Sequence, residues 1–302
     1  MNDSNVSGMV WESAVPPSLQ FAFGVTGNIT ALLILVCSST THKWQTFYKL
    51  VAGLALTDGG GILLMYPPIL ARYATDFTFH FPENLCAYNS FLTPFTILSS
   101  ALIVCAMSID RFMAVYFPFY YRGDRKRAVF ALLFIWTGGA LISSLHLMGL
   151  GSVYYFYPGS WCFLNFVSDD TFDRVNASIY SGLGLLALFV TVFLNISVIA
   201  ALVKGFNHTE GHLRRVKKDV YNIVFLSAIV LVSGLCLTPL MWRICSIAWK
   251  LSSENQGTEL LVLRLAVTNS IVDPWIYILL RKETVKYLHK KLVQCKYCVD
   301  QN

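Results

Sequence analysis

The chain has 302 residues, of which 55% are hydrophobic and only 13% are charged. Soluble domains carry about 45–50% apolar and about 25% charged residues, so this chain has too little polar surface to face water on all sides. The net charge of +6 is modest and does not by itself indicate nucleic acid as a partner. The composition argues against a soluble enzyme, excludes a disordered chain and predicts an integral membrane protein.

Seven apolar runs follow one another along the chain, each long enough for the helix of about 20 residues that crosses a bilayer. They cover residues 19–40, 50–71, 85–116, 128–148, 175–203, 220–242 and 260–280. We therefore predict an all-α membrane protein, with a bundle of seven transmembrane helices over residues 19–281. Residues 1–18 form a tail before the bundle, and residues 282–302 form a short amphipathic helix and a tail after it.

The basic residues predict the orientation of the bundle. Most of the 23 Lys and Arg residues lie between spans one and two, three and four, and five and six, or after span seven. The positive-inside rule places these segments and the C-terminus in the cytoplasm and the N-terminus outside. Three glycosylation triplets then face outward, with acceptors at Asn2, Asn5 and Asn176.

Two acidic residues, Asp58 and Asp273, lie near the middle of spans two and seven. They fit a hydrogen-bonded structural cluster. With Ser100 and Asn269 they also fit an oxygen-lined pocket for Na⁺, since oxygen ligands suit a hard cation. Acids buried in apolar surroundings can instead be protonated, so both alternatives stay open.

Arg264 is a cation inside the seventh span. It cannot pair with Asp273, because an ideal helix puts the two on opposite faces and about 13 Å apart along its axis. The side chain can extend to the membrane surface. Alternatively, it faces the interior of the bundle, where a guanidinium binds a carboxylate through two hydrogen bonds.

Asp110 and Arg111 end the third span, and Asp219 begins the sixth on the same side of the membrane. An acid and a base at a helix end usually form a surface salt bridge of little energetic value. Here a contact between Arg111 and Asp219 would hold spans three and six together, and breaking it would let span six move. Asp110 is the rival partner for Arg111.

Cys86, at the outer end of span three, and Cys162, in the second outer loop, are the cysteines on the oxidising side. They predict one disulfide bond that holds this loop over the bundle. Cys295 and Cys298 have the spacing of a redox pair, but their place in a basic tail near the membrane favours palmitoylation.

The chain resembles the rhodopsin-like G-protein-coupled receptors over essentially its whole length. The motifs that carry the resemblance are Gly27-Asn28, Leu54 with Asp58, Asp110-Arg111-Phe112, Trp136, Cys236 with Pro239, and Asp273-Pro274 with Tyr277. Within this family, residues 157–163 (YPGSWCF) and the run from Arg264 to Lys282 are similar to prostanoid receptors. The second run looks most like the prostaglandin E receptors that raise cyclic AMP.

The resemblance implies roles for particular side chains. Arg264 would bind the carboxylate of a prostanoid, with help from Tyr73 and Ser160, and Trp161 would help to cover the pocket. Val267 stands where prostaglandin E receptors often carry a hydroxyl group, and Asp110, Arg111 and Asp219 would form the switch next to the G protein.

We therefore expect a plasma-membrane receptor for prostaglandin E-type lipid acids that activates a heterotrimeric G protein of the stimulatory class. Membrane lipid is the surrounding partner, and no cofactor beyond the sodium ion considered above is expected. The alternative within receptors is another lipid acid, such as another prostanoid, a leukotriene or a fatty acid, with a different G protein. A transporter would show repeated halves with broken helices, and an enzyme would need a nucleophile, a base or a metal site; the sequence has neither pattern.

Overall fold

The computed structural model describes residues 13–37, 46–119, 121, 125–206 and 213–280. Within these described ranges lie seven helices that are long and apolar enough to cross a membrane. They are α1 (Val15–Cys37), α2 (Thr46–Ala74), α3 (Glu83–Tyr116), α4 (Arg125–Ser144), α5 (Thr171–Phe206), α6 (Leu213–Ala248) and α7 (Gln256–Leu280). The predicted seven-helix bundle is confirmed, whereas the short helix expected after span seven lies outside the described residues.

The ends of the helices differ from the predicted spans. Helix α6 covers 36 residues and is longer than the predicted span 220–242. The helix continues beyond the residues that are apolar enough for hydropathy to identify. Helix α4 ends at Ser144, earlier than the predicted end at residue 148, and turns follow it. His146 therefore lies in these turns and not in the fourth span.

A β-hairpin that the sequence analysis treated only as a loop lies between α4 and α5. Its strands are β1 (Val153–Phe156) and β2 (Trp161–Leu164), which pair antiparallel with Tyr155 opposite Cys162. All four residues of β2 are buried, so this strand is the inner one. The predicted disulfide between Cys86 and Cys162 is present and joins β2 to the start of α3.

The apolar core is divided along the length of the bundle. One cluster joins the hairpin to α3, α5, α6 and α7, and a second cluster packs α1 to α4 with α6 and α7 at the opposite end. A third, smaller cluster, which includes Ile62, Met65 and Val267, lies between α2, α3 and α7. Because the first cluster lies against β2, the hairpin is packed as part of the core and covers one end of the bundle.

Candidate ligand-binding site

A cavity lies beneath the hairpin, between α1, α2, α3 and α7. Five residues that the sequence analysis assigned to a ligand site line this cavity together, namely Tyr73, Ser160, Trp161, Arg264 and Val267.

The cation and two hydroxyl groups lie at one place in the cavity wall. Arg264 Nη2 donates a hydrogen bond to the Tyr73 hydroxyl at 2.9 Å, and Ser160 Oγ donates to the same oxygen at 3.3 Å. Tyr73 and Ser160 are 5% and 2% exposed, so little water competes for these groups. A guanidinium with hydroxyl groups beside it can bind a carboxylate through charge-assisted hydrogen bonds.

Arg264 lines the cavity because of the face of α7 on which it lies. Leu260, Leu263 and Val267 also line the cavity, and their spacing from Arg264 is that of one side of a helix. The two leucines and Val267 are buried. Arg264 is therefore carried by the apolar face of α7 that packs into the bundle.

Gln20 on α1 is a lining residue that the sequence analysis missed. Its Nε2 donates to the Arg264 backbone carbonyl at 3.0 Å and to Thr268 Oγ1 at 3.2 Å. Its Oε1 accepts a hydrogen bond from the Tyr66 hydroxyl at 2.8 Å. One amide thus joins α1, α2 and α7 next to the cationic group. The only signal in the sequence was an amide within an apolar run.

Aromatic stacking closes the cavity on the hairpin side. Trp161 is 3% exposed and stacks on Phe156 with 4.4 Å between ring centroids, and Phe156 stacks on Phe166 at 4.8 Å. The indole N–H of Trp161 donates to the Tyr157 carbonyl at 3.0 Å. These contacts and the disulfide hold the hairpin over the cavity.

Arg72 connects the hairpin to α2. Its Nε donates to the Gly159 carbonyl at 2.9 Å, and its Nη1 donates to the carbonyls of Phe77 and Phe79. Gly159 has a φ of 81°, a conformation that favours glycine, and it forms the turn between the strands. The turn is therefore tied to the C-terminal end of α2, next to Tyr73.

At the other end of the bundle, Asp110 and Arg111 form an ion pair that is shielded from solvent. The two residues are 8% and 9% exposed, and Arg111 Nε donates to Asp110 Oδ2 at 3.1 Å. The Tyr121 hydroxyl donates to Asp110 Oδ1 at 2.6 Å, and the Arg111 guanidinium lies 4.6 Å from the Phe47 ring centroid. Burial, and then the Asp110 carboxylate, raise the pKa of Tyr121 to about 12, so it stays a hydrogen-bond donor.

This geometry identifies Asp110, the rival considered above, as a partner of Arg111. The pair is not the exposed salt bridge that such a sequence usually forms. Helix α6 includes Asp219, but the side chain of this residue is not described, so the contact between Arg111 and Asp219 remains a prediction. Tyr121 was not predicted, because only the folded loop brings it to Asp110.

The polar residues in the middle of the bundle form two hydrogen-bonded pairs. Ser100 donates to Asp58, and Asn269 Nδ2 donates to Asp273 Oδ2 at 3.0 Å. Asp58 and Asp273 line a common cavity. Among the described residues, Asp58 Oδ2, Asp273 Oδ1 and Asn269 Oδ1 are buried and have no hydrogen-bond partner. An oxygen-only set of this kind fits the ligand preference of a hard cation such as Na⁺.

The remaining predicted modification sites have different outcomes. Asn176 is 1% exposed and lies within α5, and this burial contradicts the predicted glycosylation because a glycan needs a solvent-exposed amide. The acceptors Asn2 and Asn5 and the palmitoylation candidates Cys295 and Cys298 lie outside the described residues.

Comparison with known proteins finds one family and several receptors. The family model described as "7 transmembrane receptor (rhodopsin family)" matches residues 27–277. The human prostaglandin E2 receptor EP4 subtype is 30% identical, over 93% of this chain and 67% of that protein. The mouse prostacyclin receptor is 33% identical, over 93% of this chain and 70% of that protein.

Two further comparisons extend this result. The human thromboxane A2 receptor is 28% identical, over 89% of this chain and 83% of that protein. Among solved structures, the crystal structure of squid rhodopsin superimposes with a TM-score of 0.80, covering 96% of this chain and 87% of that chain. The sequence identity in this superposition is 15%, so it supports the fold alone.

Proposed function

Because this chain belongs to the prostanoid receptors, a branch of the rhodopsin family of seven-transmembrane receptors, we propose that it binds a prostaglandin E-type lipid acid. Its relatives are signalling receptors and not enzymes. The protein is a multi-pass membrane protein of the plasma-membrane class, and we propose the orientation given by its basic residues, with the N-terminus outside.

One observation carries the proposal: Arg264, Tyr73 and Ser160 meet in the wall of a largely apolar cavity. The cationic end suits the carboxylate of a lipid acid, and Met65, Leu260 and other apolar lining residues suit its hydrocarbon chain. Burial of the ligand's hydrocarbon chain supplies about 25 cal/mol per Å² of apolar surface removed from water. The guanidinium then determines which end of the ligand lies near the hairpin.

Prostaglandin E is our first choice because the run from Arg264 to Lys282 resembles prostaglandin E receptors, and because a relative named for prostaglandin E2 aligns over most of this chain. Two observations favour another prostanoid as the second candidate. Val267 is apolar where prostaglandin E receptors often carry a hydroxyl group, and a prostacyclin receptor is 33% identical.

For signalling, we propose that agonist favours a state in which the inner end of α6 moves away from α3. A ligand shifts such an equilibrium only by binding one state more tightly than the other. The move would expose Arg111, now held by Asp110 beside Tyr121, to a G protein. The proposed stimulatory class, and hence a rise in cyclic AMP, follows the resemblance of the α7 run.

Sodium binding in the middle of the bundle is a further part of the proposal. Asp58, Ser100, Asn269 and Asp273 would hold the ion, and the unpartnered oxygens of three of them support this assignment. The ion would supply a positive charge between two acids. Of the two pairs already described, Ser100 with Asp58 joins α3 to α2, whereas Asn269 with Asp273 lies within α7.

The decisive experiment is a ligand panel on cells that express this chain, with cyclic AMP and calcium as readouts. The panel contains prostaglandin E2, its methyl ester and stable analogues of prostacyclin and thromboxane. We expect the free acid of prostaglandin E2 to be the most potent and its methyl ester to be much weaker. Equal binding of acid and ester would contradict the role of Arg264, and a different winner would change the ligand but not the receptor class.

Substitution of Arg264 gives the residue-level test. Arg264→Ala should cost about 2–5 kcal/mol of affinity, as expected when one partner of a buried charge pair is removed. Arg264→Lys should also weaken binding, because an ammonium group cannot form the paired hydrogen bonds of a guanidinium. The control is Lys250→Ala, since Lys250 is an exposed cation paired with Asp169 away from the cavity. Unchanged affinity in Arg264→Ala would refute the assignment.

A further inference from the structure

A further cavity lies at the end of the bundle that carries Arg111. It is formed by α2, α3, α4 and the connection that contains Tyr121, and it shares no lining residue with the cavity beneath the hairpin. Its location is cytoplasmic if the orientation in the proposed function is correct, and the inference below rests on that orientation.

This cavity is polar at its rim and apolar in its depth. Thr46, Tyr121 and Arg127 lie at the rim, where α2 and α4 begin. Leu50 and Ala131 lie one helical turn, about 6 Å, further into the membrane than Thr46 and Arg127. Ala106 lies about 10 Å deeper than Met113 along α3. The polarity of the walls therefore changes in the same direction as that of a phospholipid, from headgroup to acyl chain.

Small side chains create the depression, and it opens toward lipid. Ala106, Ala128 and Ala131 are three of its lining residues, so α3 and α4 leave a space that larger residues would fill. Ile109 lines the same space and is 46% exposed, which places one wall at the outer surface of the bundle. Phe130 on α4 is 67% exposed and extends this apolar surface.

The charges at the rim favour an anion. Arg127 is exposed and lines the cavity, and Lys126 is exposed beside it. The Asp110 carboxylate also lines the cavity, but Arg111 and Tyr121 both bind it, so its charge is matched within the protein. Basic pockets between transmembrane helices on the cytoplasmic side are suited to the headgroups of anionic lipids.

We propose that this cavity, lined by Thr46, Leu50, Ile109, Tyr121, Arg127 and Ala131, binds one anionic phospholipid of the cytoplasmic leaflet. Arg127 binds the phosphate-bearing headgroup, and an acyl chain lies against Leu50, Ile109 and the alanines. The headgroup would then lie next to Tyr121, whose hydroxyl holds Asp110. The lipid site thus borders the ion pair that we assign to the switch.

Photocrosslinking of the full chain in nanodiscs tests this proposal. The nanodiscs contain phosphatidylcholine with a small fraction of phosphatidylserine that carries a diazirine in its acyl chain, and labelled peptides are measured by mass spectrometry. We expect labels on α3 and α4 near Ile109 and Ala131. Phosphatidylcholine with the same diazirine should label these positions much less, and equal labelling by both lipids would overturn the proposal.

Three variants separate the site from general surface charge. Arg127→Ala and Ala131→Phe should each reduce labelling by about fivefold, the first by removing one basic side chain and the second by filling the depression. Lys126→Ala is the matched control, because it removes an exposed charge of the same helix end that does not line the cavity. Equal losses in Lys126→Ala and Arg127→Ala, or no loss in Ala131→Phe, would refute a defined site.

A soluble anion such as inorganic phosphate could bind the same basic group in place of a lipid headgroup. If millimolar inorganic phosphate abolishes labelling, the site takes a free anion and the lipid proposal is wrong; labelling that withstands phosphate supports a lipid. Binding of a prostanoid ligand to each variant reports correct folding where the chain binds one, and thermal unfolding reports it in any case. If the protein binds no prostanoid, the labelling experiment with lipid can therefore still be interpreted.

Discussion

At the scale of single residues, Tyr73 is the point at which the cation and the hairpin meet. Its hydroxyl accepts hydrogen bonds from Arg264 and from Ser160, so it couples α7 to the residue before β2. Tyr73→Phe should weaken binding of a carboxylate ligand by about 1.5–3 kcal/mol, the usual value of a hydrogen bond to a charged group. Competition binding measures this loss.

The control for Tyr73 is Tyr88→Phe, because the Tyr88 hydroxyl bonds to Leu64 on an exposed part of the bundle. We expect no change in affinity from this substitution. An unchanged affinity in Tyr73→Phe would show that the Tyr73 hydroxyl does not orient the guanidinium for its ligand.

At the other end of the bundle, Tyr121 resembles Tyr73 in that its hydroxyl binds a charged group. Its hydroxyl donates to Asp110, which also binds Arg111, so the phenol supports the closed ion pair. Tyr121→Phe should raise the signal in the absence of agonist, because the closed pair loses one hydrogen bond to a charged group. Basal cyclic AMP, normalised to surface expression, measures the effect. A basal signal equal to that of the unsubstituted chain would exclude this role.

At the residue level, the sequence draws attention to side chains whose charge inside lipid needs a special explanation. Arg264, Asp58 and Asp273 were conspicuous for this reason. Gln20 and Tyr121 are not conspicuous, because a single amide in an apolar run and a tyrosine next to a basic segment are both common. Their roles depend on contacts with residues far away in the chain, such as Arg264 and Thr268 for Gln20.

At the scale of helices, α2 and α3 approach closely at Gly61. A Cβ atom at this position would overlap the Thr96 side chain, which is 1% exposed and bonded to the Leu92 carbonyl. Gly61→Ala should therefore destabilise the bundle by about 1–3 kcal/mol, the usual cost of overpacking. Thermal unfolding in detergent measures the loss.

The neighbouring Gly60 provides the matched control for this prediction. A Cβ atom there would have no atom within 4 Å, so Gly60→Ala should leave the unfolding temperature unchanged or raise it slightly. Equal unfolding temperatures for the two variants would show that the helices adjust at Gly61 without cost.

Helices were easier to predict than the hairpin. The seven apolar runs are long, and a bilayer permits few other structures, so their number and order followed from hydropathy. The strands β1 and β2 have four residues each, too few for a clear alternation of polar and apolar side chains. The turn at Gly159 was equally hard to predict, because the hydrogen bond that its carbonyl accepts comes from Arg72 on α2, far away in the sequence.

At the scale of the whole molecule, buried His146 makes stability depend on pH. It is 4% exposed and bonds to Ser90 through Nε2 at 2.9 Å. Burial lowers its pKa from 6.5 to about 4, although the nearby Asp173 acts in the opposite direction. The unfolded chain thus binds this proton more readily, so the stability contributed by neutral His146 is lost as the pH falls from 6.5 toward 4.

The test is the unfolding temperature of the purified protein between pH 7.5 and 4.5. His146→Gln should reduce the decline over this range, because glutamine can bond to Ser90 but does not titrate there. His80→Gln, at an exposed position, should leave the decline unchanged. If His146→Gln follows the same curve as the unsubstituted chain, other groups control the acid sensitivity.

The two acids in the middle of the bundle lie where the transmembrane voltage acts on any ion that they bind. A cation or proton that reaches Asp58 or Asp273 from either side crosses part of the transmembrane voltage. A full crossing corresponds to about 2.3 kcal/mol per 100 mV for each elementary charge, so half of the depth corresponds to about half of this energy. Occupancy by the proposed ion should therefore differ between a resting and a depolarised cell, and the same agonist concentration should then act on two different populations of the protein.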